Sequence, residues 1–283
     1  MHPYVAFKGI LEADPLLFVR LKPNALSEQK RVLSRLLIME VDKLGCRPVT
    51  NQPRSARNTF AAYGCSCTYG HAIEVGETFC SILQSRLPTW RVENHGLPGY
   101  GLNQALLQLQ RNARWSAADY VTFCWIPHHG LRNIADVSWI LRLMEGLERS
   151  TPEGQHSFPR ACLDLNGALR FKTVAIPRWD LVGVNCDEFR PAWYYLELVC
   201  FKLFERAAEI VRKSGGHFFV TTLLGNMSEH LRSRLRDAGI PLIHASVEGR
   251  GFTNLPDDHH PNVLANQIYA QKIYDYLESH HVA

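Results

Sequence analysis

The hydrophobic residues of this chain fall into short runs that are separated by glycine, proline and polar residues. The run at 120–126 is dominated by apolar side chains, which is typical of a parallel strand buried on both faces. Similar runs predict further strands at 60–63, 90–94, 217–223 and 240–245.

Between these runs, apolar residues recur at the spacing of a helix. The pattern predicts helices over 73–87, from Leu102 through Leu109, and over 193–213, 228–238 and 262–279. Strands that alternate with helices indicate the α/β class. We therefore expect a three-layer α/β/α domain with a mostly parallel, flavodoxin-like five-stranded sheet.

Two regions are less regular. Residues 1–58 are mixed and interrupted by prolines, and we interpret them as a small N-terminal extension or accessory subdomain, with the main domain over 59–283. Farther along, 137–147 has a helical pattern, and 151–160, with its prolines and glycine, is predicted to be a loop.

Composition narrows the class of protein. The chain has 283 residues, of which 46% are hydrophobic and 20% charged, and this excludes a disordered or fibrous chain. The net charge of +4 comes from dispersed basic residues, so we expect no nucleic-acid partner. No run is long enough for a membrane span and no secretory signal is seen, which favours the cytoplasm and, for the 8 cysteines, the reduced state.

Polar residues that could carry chemistry follow the predicted strands, where sites of open α/β sheets gather. The segment 64–70 reads Gly-Cys-Ser-Cys-Thr-Tyr-Gly and places Ser66 between a strand and a helix, where a nucleophile is exposed beside backbone N–H groups. Taken alone, such a turn is more often a simple helix cap.

Three later segments complete the set. Segment 94–101 is rich in glycine and fits neither the dinucleotide nor the Walker pattern. Segment 127–133 contains His128 and His129 directly after a strand. Segment 255–262 contains Asp257 and His260, whose spacing lets the carboxylate hold one imidazole nitrogen while the other takes a proton from a serine.

Together these segments resemble the SGNH/GDSL hydrolase superfamily, from about residue 59 to the C-terminus. The first block, usually Gly-Asp-Ser-x-Thr-x-Gly, differs here at Cys65. The glycine of the second block falls on Gly99, five residues after an asparagine. The last block, Asp-x-x-His-Pro-Asn, matches residues 257–262.

The resemblance implies that Ser66 is the nucleophile, His260 the base and Asp257 the residue that orients it. It implies an oxyanion hole formed by the N–H groups of Ser66 and Gly99. The third donor of the family, an asparagine, aligns with His128, whose ring N–H would have to replace it. We expect a structural role for Cys65, since a thiol does not accept charge-assisted hydrogen bonds as a carboxylate does, with a nucleophilic Cys65 as the alternative.

The function implied is serine-dependent hydrolysis of an ester, with a small-molecule or carbohydrate acyl ester as substrate and no cofactor or metal. The histidines 128, 129, 259 and 260 with two aspartates could also converge on a metal, but adjacent pairs share one ion poorly. The departures at Cys65 and His128 leave open a catalytically weak, ligand-binding protein, and acyl transfer to another hydroxyl is a further alternative. The oligomeric state stays open.

Overall fold

The computed structural model describes residues 9–27, 30–111, 117–140, 157–175 and 192–280. In chain order its strands are β1 (Leu11–Asp14), β2 (Phe18–Leu21), β3 (Lys30–Val32), β4 (Arg35–Leu37), β5 (Asn58–Gly64), β6 (Trp90–Gly96), β7 (Tyr120–Trp125), β8 (Ser157–Leu163), β9 (Leu169–Ala175), β10 (His217–Thr222) and β11 (Leu242–His244). Its α-helices are α1 (Ser66–Tyr69), α2 (Phe79–Arg86), α3 (Leu102–Arg111), α4 (His129–Asn133), α5 (Trp193–Lys213), α6 (Glu229–Asp237) and α7 (Val263–His280).

The centre of the fold is a five-stranded sheet in the order β11-β10-β7-β5-β6, and every neighbouring pair is parallel. The first of these strands in the chain lies between the second and the third, which is the flavodoxin-like order. The predicted fold class is confirmed.

Helices cover both faces of this sheet because its strands are apolar on both sides. Ala61 and Tyr63 of β5 pack into a core with α3, α5 and α6. Phe60 and Ala62, which point the other way along the same strand, pack into a second core with α2 and α7. Alternate residues of one strand therefore belong to opposite layers, which explains why β5 appears as a continuous apolar run.

Residues before β5 form two antiparallel hairpins, β1–β2 and β3–β4. Leu17 and Val19 of the first hairpin share a core with Leu97 and Tyr100, which lie after β6. The second hairpin buries Val32 and Leu37 against Ala72. The N-terminal segment is thus packed on loops at the ends of the sheet strands, and its division from the rest at residue 58 stays a prediction.

Two regions differ from the sequence prediction or lie partly outside the described residues. The predicted loop over 151–160 is wrong for its last part, because 157–163 form β8, paired with β9. Phe158 and Ala161 are fully buried there, and this burial outweighs the turn signal of Pro159. Of the helix predicted over 137–147, residues 137–140 are helical and the remainder lies outside the described residues.

Within the described ranges, no helix is both long and apolar enough to cross a bilayer. Seven cysteines lie in these ranges and all of them are free thiols, while Cys186 lies outside them.

Candidate active site

The loops that carry the sequence blocks meet at one edge of the sheet. Gly64 at the end of β5 is level with Gly96 at the end of β6, and Tyr63 is level with Phe123 of β7. Because the three strands are parallel neighbours, the segments that follow them emerge side by side.

The first block is held by close packing between its own residues. A Cβ at Gly64 would lie 2.2 Å from Oγ1 of Thr68, so only glycine fits when the threonine occupies this space. Ser66 is the first residue of α1, and Gly70 caps the end of this helix with φ of 80° and a hydrogen bond from its N–H to the Ser66 carbonyl. The motif therefore encodes one tight helical turn that begins at Ser66.

The second block is tied to this turn through Asn94. Its Nδ2 donates to the Thr68 carbonyl at 2.9 Å, and its Oδ1 accepts from the Gly96 N–H at 3.0 Å. Gly99 has φ of 88°, which favours glycine, and its carbonyl accepts a 3.0 Å hydrogen bond from Nε1 of Trp139. Asn94 thus fixes α1 against the end of β6.

Ser66 and His260, which are far apart in the sequence, are brought into contact. The Ser66 Oγ lies 2.8 Å from Nε2 of His260. Ser66 is 6% exposed, and the His260 side chain is 20% exposed. The serine is therefore nearly buried, whereas the imidazole is accessible to solvent.

The carboxylate that contacts His260 is Asp258, and not Asp257 as the sequence predicted. Oδ1 of Asp258 lies 2.6 Å from the ring Nδ1 of His260 and 2.7 Å from its backbone N–H. Asp257 instead accepts a 2.6 Å hydrogen bond from the Leu33 N–H on its Oδ2. The physical reason is the turn: a carboxylate two residues before the histidine binds the backbone and the ring of that histidine together.

A second histidine, His71, approaches the other oxygen of the same carboxylate. Its Nε2 lies 3.4 Å from Oδ2 of Asp258, and its ring packs edge-on against the His260 ring at 4.4 Å between centroids. His71 is fully buried directly after the first block. The sequence analysis did not identify it, and its position beside Gly70 was the only local signal.

These contacts determine the charge of Asp258 and the tautomer of His260. Burial alone would raise the pKa of the Asp258 carboxyl, but its hydrogen bonds with His260 and His71 hold that pKa far below its usual range. An ionised Asp258 accepts a hydrogen bond from the N–H at Nδ1 of His260, which leaves Nε2 as the atom that accepts from the Ser66 hydroxyl.

The third block begins at the end of β7. His128 is the residue before α4 and is exposed, whereas His129 is fully buried. Nδ1 of His129 accepts a long, 3.4 Å hydrogen bond from the Ile126 N–H. The predicted oxyanion donors therefore lie in the segments that directly follow β5, β6 and β7, and the roles of Ser66, Gly99 and His128 stay predictions.

Among the described residues, one group of side chains is close enough to bind a metal ion. It consists of His71, Asp258 and His260, whose potential ligand atoms all lie within 4.8 Å of one another. Asp258 and His260 are already at hydrogen-bonding distance, and each oxygen of Asp258 faces a histidine. A bound ion would have to replace these contacts. The arrangement is accounted for as a hydrogen-bonded network.

Comparisons with known proteins find similar folds among solved structures. No family model and no curated protein matches the chain. A member of the lipolytic protein G-D-S-L family from Veillonella parvula is 12% identical, with a TM-score of 0.47 over 78% of this chain and 98% of the other. The psychrotrophic esterase EstA from a Pseudoalteromonas species is 11% identical, with a TM-score of 0.44 over 80% of this chain and 100% of the other.

An alpha/beta hydrolase enzyme from the metagenome of Lake Arreo, Spain, is 13% identical, with a TM-score of 0.44 over 80% of this chain and 95% of the other. The likeness to these three solved structures is one of fold.

Proposed function

We propose that this protein hydrolyses an ester through an acyl-enzyme on Ser66. The observation that carries the proposal is the relay in which Ser66 Oγ, the His260 ring and the Asp258 carboxylate follow one another at 2.8 and 2.6 Å. A hydroxyl is a weak nucleophile unless a base takes its proton, and this relay supplies such a base together with the group that orients it.

In the first half of the reaction, Ser66 Oγ bonds to the carbonyl carbon while its proton passes to Nε2 of His260. His260 then gives this proton to the departing alcohol oxygen as the ester bond breaks. In the second half, His260 takes a proton from water, the resulting hydroxide attacks the acyl carbon, and Ser66 regains its proton as the acid leaves.

The negative charge that forms on the carbonyl oxygen in the transition state would be stabilised by hydrogen bonds from the backbone N–H groups of Ser66 and Gly99 and from the ring of His128. We propose a small-molecule or carbohydrate acyl ester as substrate. Transfer of the acyl group to a hydroxyl other than water would use the same first half-reaction.

The experiment compares the purified protein with Ser66→Ala, using p-nitrophenyl acetate for turnover and a fluorophosphonate probe for labelling. We expect turnover and a covalent label that mass spectrometry maps to Ser66, both lost in the variant. Turnover that persists unchanged in Ser66→Ala would reject the assignment. Folded protein with neither turnover nor label would favour the ligand-binding alternative.

A further inference from the structure

A second group of titratable side chains, outside the proposed relay, joins a cysteine to a histidine and a carboxylate. The Cys46 Sγ lies 3.2 Å from Nδ1 of His95, and Nε2 of the same ring lies 3.0 Å from Oε2 of Glu93. Cys46 is 5% exposed and His95 is 1% exposed. Neither half of the proposed ester hydrolysis uses these residues. Cys46 is also distinct from Cys65, the thiol that the sequence singled out, whose role stays a prediction.

The edge of the central sheet brings the three residues together. Glu93 and His95 are two positions apart on β6, so their side chains lie on the same face of the sheet. Arg47 pairs with Asn94 in an antiparallel bridge, in which its N–H donates to the Asn94 carbonyl at 3.2 Å. This pairing runs the preceding residue, Cys46, alongside β6. Backbone hydrogen bonding therefore fixes the position of the cysteine relative to the histidine.

The His95 ring is oriented by its face as well as by its two nitrogens. Tyr63, its register partner on β5, stacks on it with 4.6 Å between ring centroids and an interplanar angle of 11°. A carboxylate only accepts hydrogen bonds, so the proton of the neutral ring lies on Nε2 and faces Glu93. Nδ1 is then the acceptor for the Cys46 thiol. This is the order of nucleophile, base and orienting group, whereas metal ligands would converge on one point.

A surface turn leads into the cysteine and leaves its thiol slightly accessible. Within residues 42–46, Oδ1 of Asp42 accepts from the backbone N–H of Leu44 at 2.8 Å and from that of Cys46 at 2.9 Å. Lys43 and Leu44 in this turn are exposed. The small exposed fraction of Cys46 favours a reagent of few atoms. Hydrogen peroxide is small and uncharged, and it oxidises the thiolate form of cysteine.

We propose that Cys46 is a second nucleophile of this protein, with His95 as its base and Glu93 as a positioning residue, and that it reacts with hydrogen peroxide. The thiol proton passes to Nδ1 of His95, the sulfur bonds to one peroxide oxygen, and the O–O bond breaks. Cys46 is thereby oxidised to a sulfenic acid while the peroxide is reduced. The hydroxide that leaves takes the proton from Nδ1 and departs as water. No step of this reaction involves Ser66.

The first test follows sulfenic acid at individual cysteines. The native protein is treated with hydrogen peroxide at pH 7 in the presence of dimedone, and mass spectrometry measures the adduct at each thiol over time. Cys162 on β8 is the matched control, since it is more exposed than Cys46. We expect the adduct to form faster at Cys46, and at the same rate in Ser66→Ala, which separates this test from the proposed function. An adduct that forms no faster at Cys46 than at Cys162 would overturn the proposal.

The second test measures the activation of the thiol. An ordinary cysteine is only a few per cent thiolate at pH 7, so loss of the orienting carboxylate in Glu93→Gln should slow the adduct at Cys46 about tenfold, with Cys162 unchanged. The deficit should narrow as the pH rises past about 8.5, the usual pKa of a cysteine thiol, because the thiol then ionises without the base. His95→Gln should behave in the same way.

Glu93→Gln decides the second test if His95→Gln does not fold, since the Glu93 side chain is 13% exposed and that of His95 is 1% exposed. A native rate at Cys46 in folded Glu93→Gln at pH 7 would overturn the proposal. A deficit of the same size at every pH would overturn it as well, because a purely structural contact predicts that result.

Discussion

Leu33, at the tip of the β3–β4 hairpin, donates its backbone N–H to the Asp257 carboxylate at 2.6 Å. The neighbouring residue, Asp258, is the carboxylate that contacts His260. The two adjacent aspartates therefore have different contacts. Asp257 connects the β3–β4 hairpin to the loop that carries His260, and Asp258 contacts the His260 ring. The Arg35–Glu77 ion pair at 2.9 Å attaches the same hairpin beside α2.

This division of roles predicts unequal effects of the same substitution at the two positions. Asp258→Asn should lower kcat roughly 1,000-fold or more, because an amide no longer fixes the tautomer and charge that His260 needs. Asp257→Asn should leave kcat within about threefold, since an exposed hydrogen bond to a loop contributes little. Steady-state kinetics on both purified variants tests this prediction. A larger loss of kcat in Asp257→Asn than in Asp258→Asn would contradict the observed geometry.

The lowered pKa of Asp258 predicts how stability depends on pH. A carboxyl whose folded-state pKa lies below its unfolded value of about 3.9 contributes stability that is present above that value and is lost as the pH falls below it. Between about pH 5 and 3, the unfolding temperature of Asp258→Asn should therefore fall less steeply than that of the native protein. Ser66→Ala, which keeps the carboxylate network, is the control and should follow the native slope. Parallel curves for the native protein and Asp258→Asn would contradict the shift.

The central sheet was predictable because its strands are buried on both faces. In β5 and β7 this burial makes nearly every position apolar, so the strands stand out without an alternating pattern. Helix α6 was predictable at its start, because Ser228 caps it by accepting from the Leu231 N–H at 3.1 Å. The hairpins β1–β2 and β3–β4 and the strand β8 were not predicted, since their short strands depend on packing against other parts of the chain.

The site was predictable only in part for a related reason. Ser66 and His260 each lie in a recognisable block, and the parallel order of strands brings blocks of this kind together. The choice between Asp257 and Asp258 depends on backbone torsion angles in a turn, which the spacing of residues does not determine. His71 has no sequence signal except its position directly after the first block, because its contact with Asp258 exists only in the folded chain.

His71 is predicted to contribute to catalysis through Asp258. A hydrogen bond to a charged group is worth about 1.5–3 kcal/mol, so losing the His71 donor in His71→Ala should lower kcat about tenfold with little change in KM. His71→Gln, which retains a donor, should recover part of this loss. Kinetics on both variants, with the unfolding temperature as a check on folding, tests the prediction. An alanine variant with native kcat would show that the His260 hydrogen bond alone orients Asp258.

His128 is predicted to supply the third oxyanion donor from its ring. His128→Ala should lower kcat on the order of 100-fold while KM changes little, because the donor acts mainly in the transition state. His128→Asn carries the residue type that the sequence resemblance leads one to expect, and its amide N–H should restore most of the loss. The measurement is kcat and KM for p-nitrophenyl acetate with all three proteins at one pH. If His128→Ala retains native kcat, the ring is not a donor, and the charge on the carbonyl oxygen is left to the N–H groups of Ser66 and Gly99.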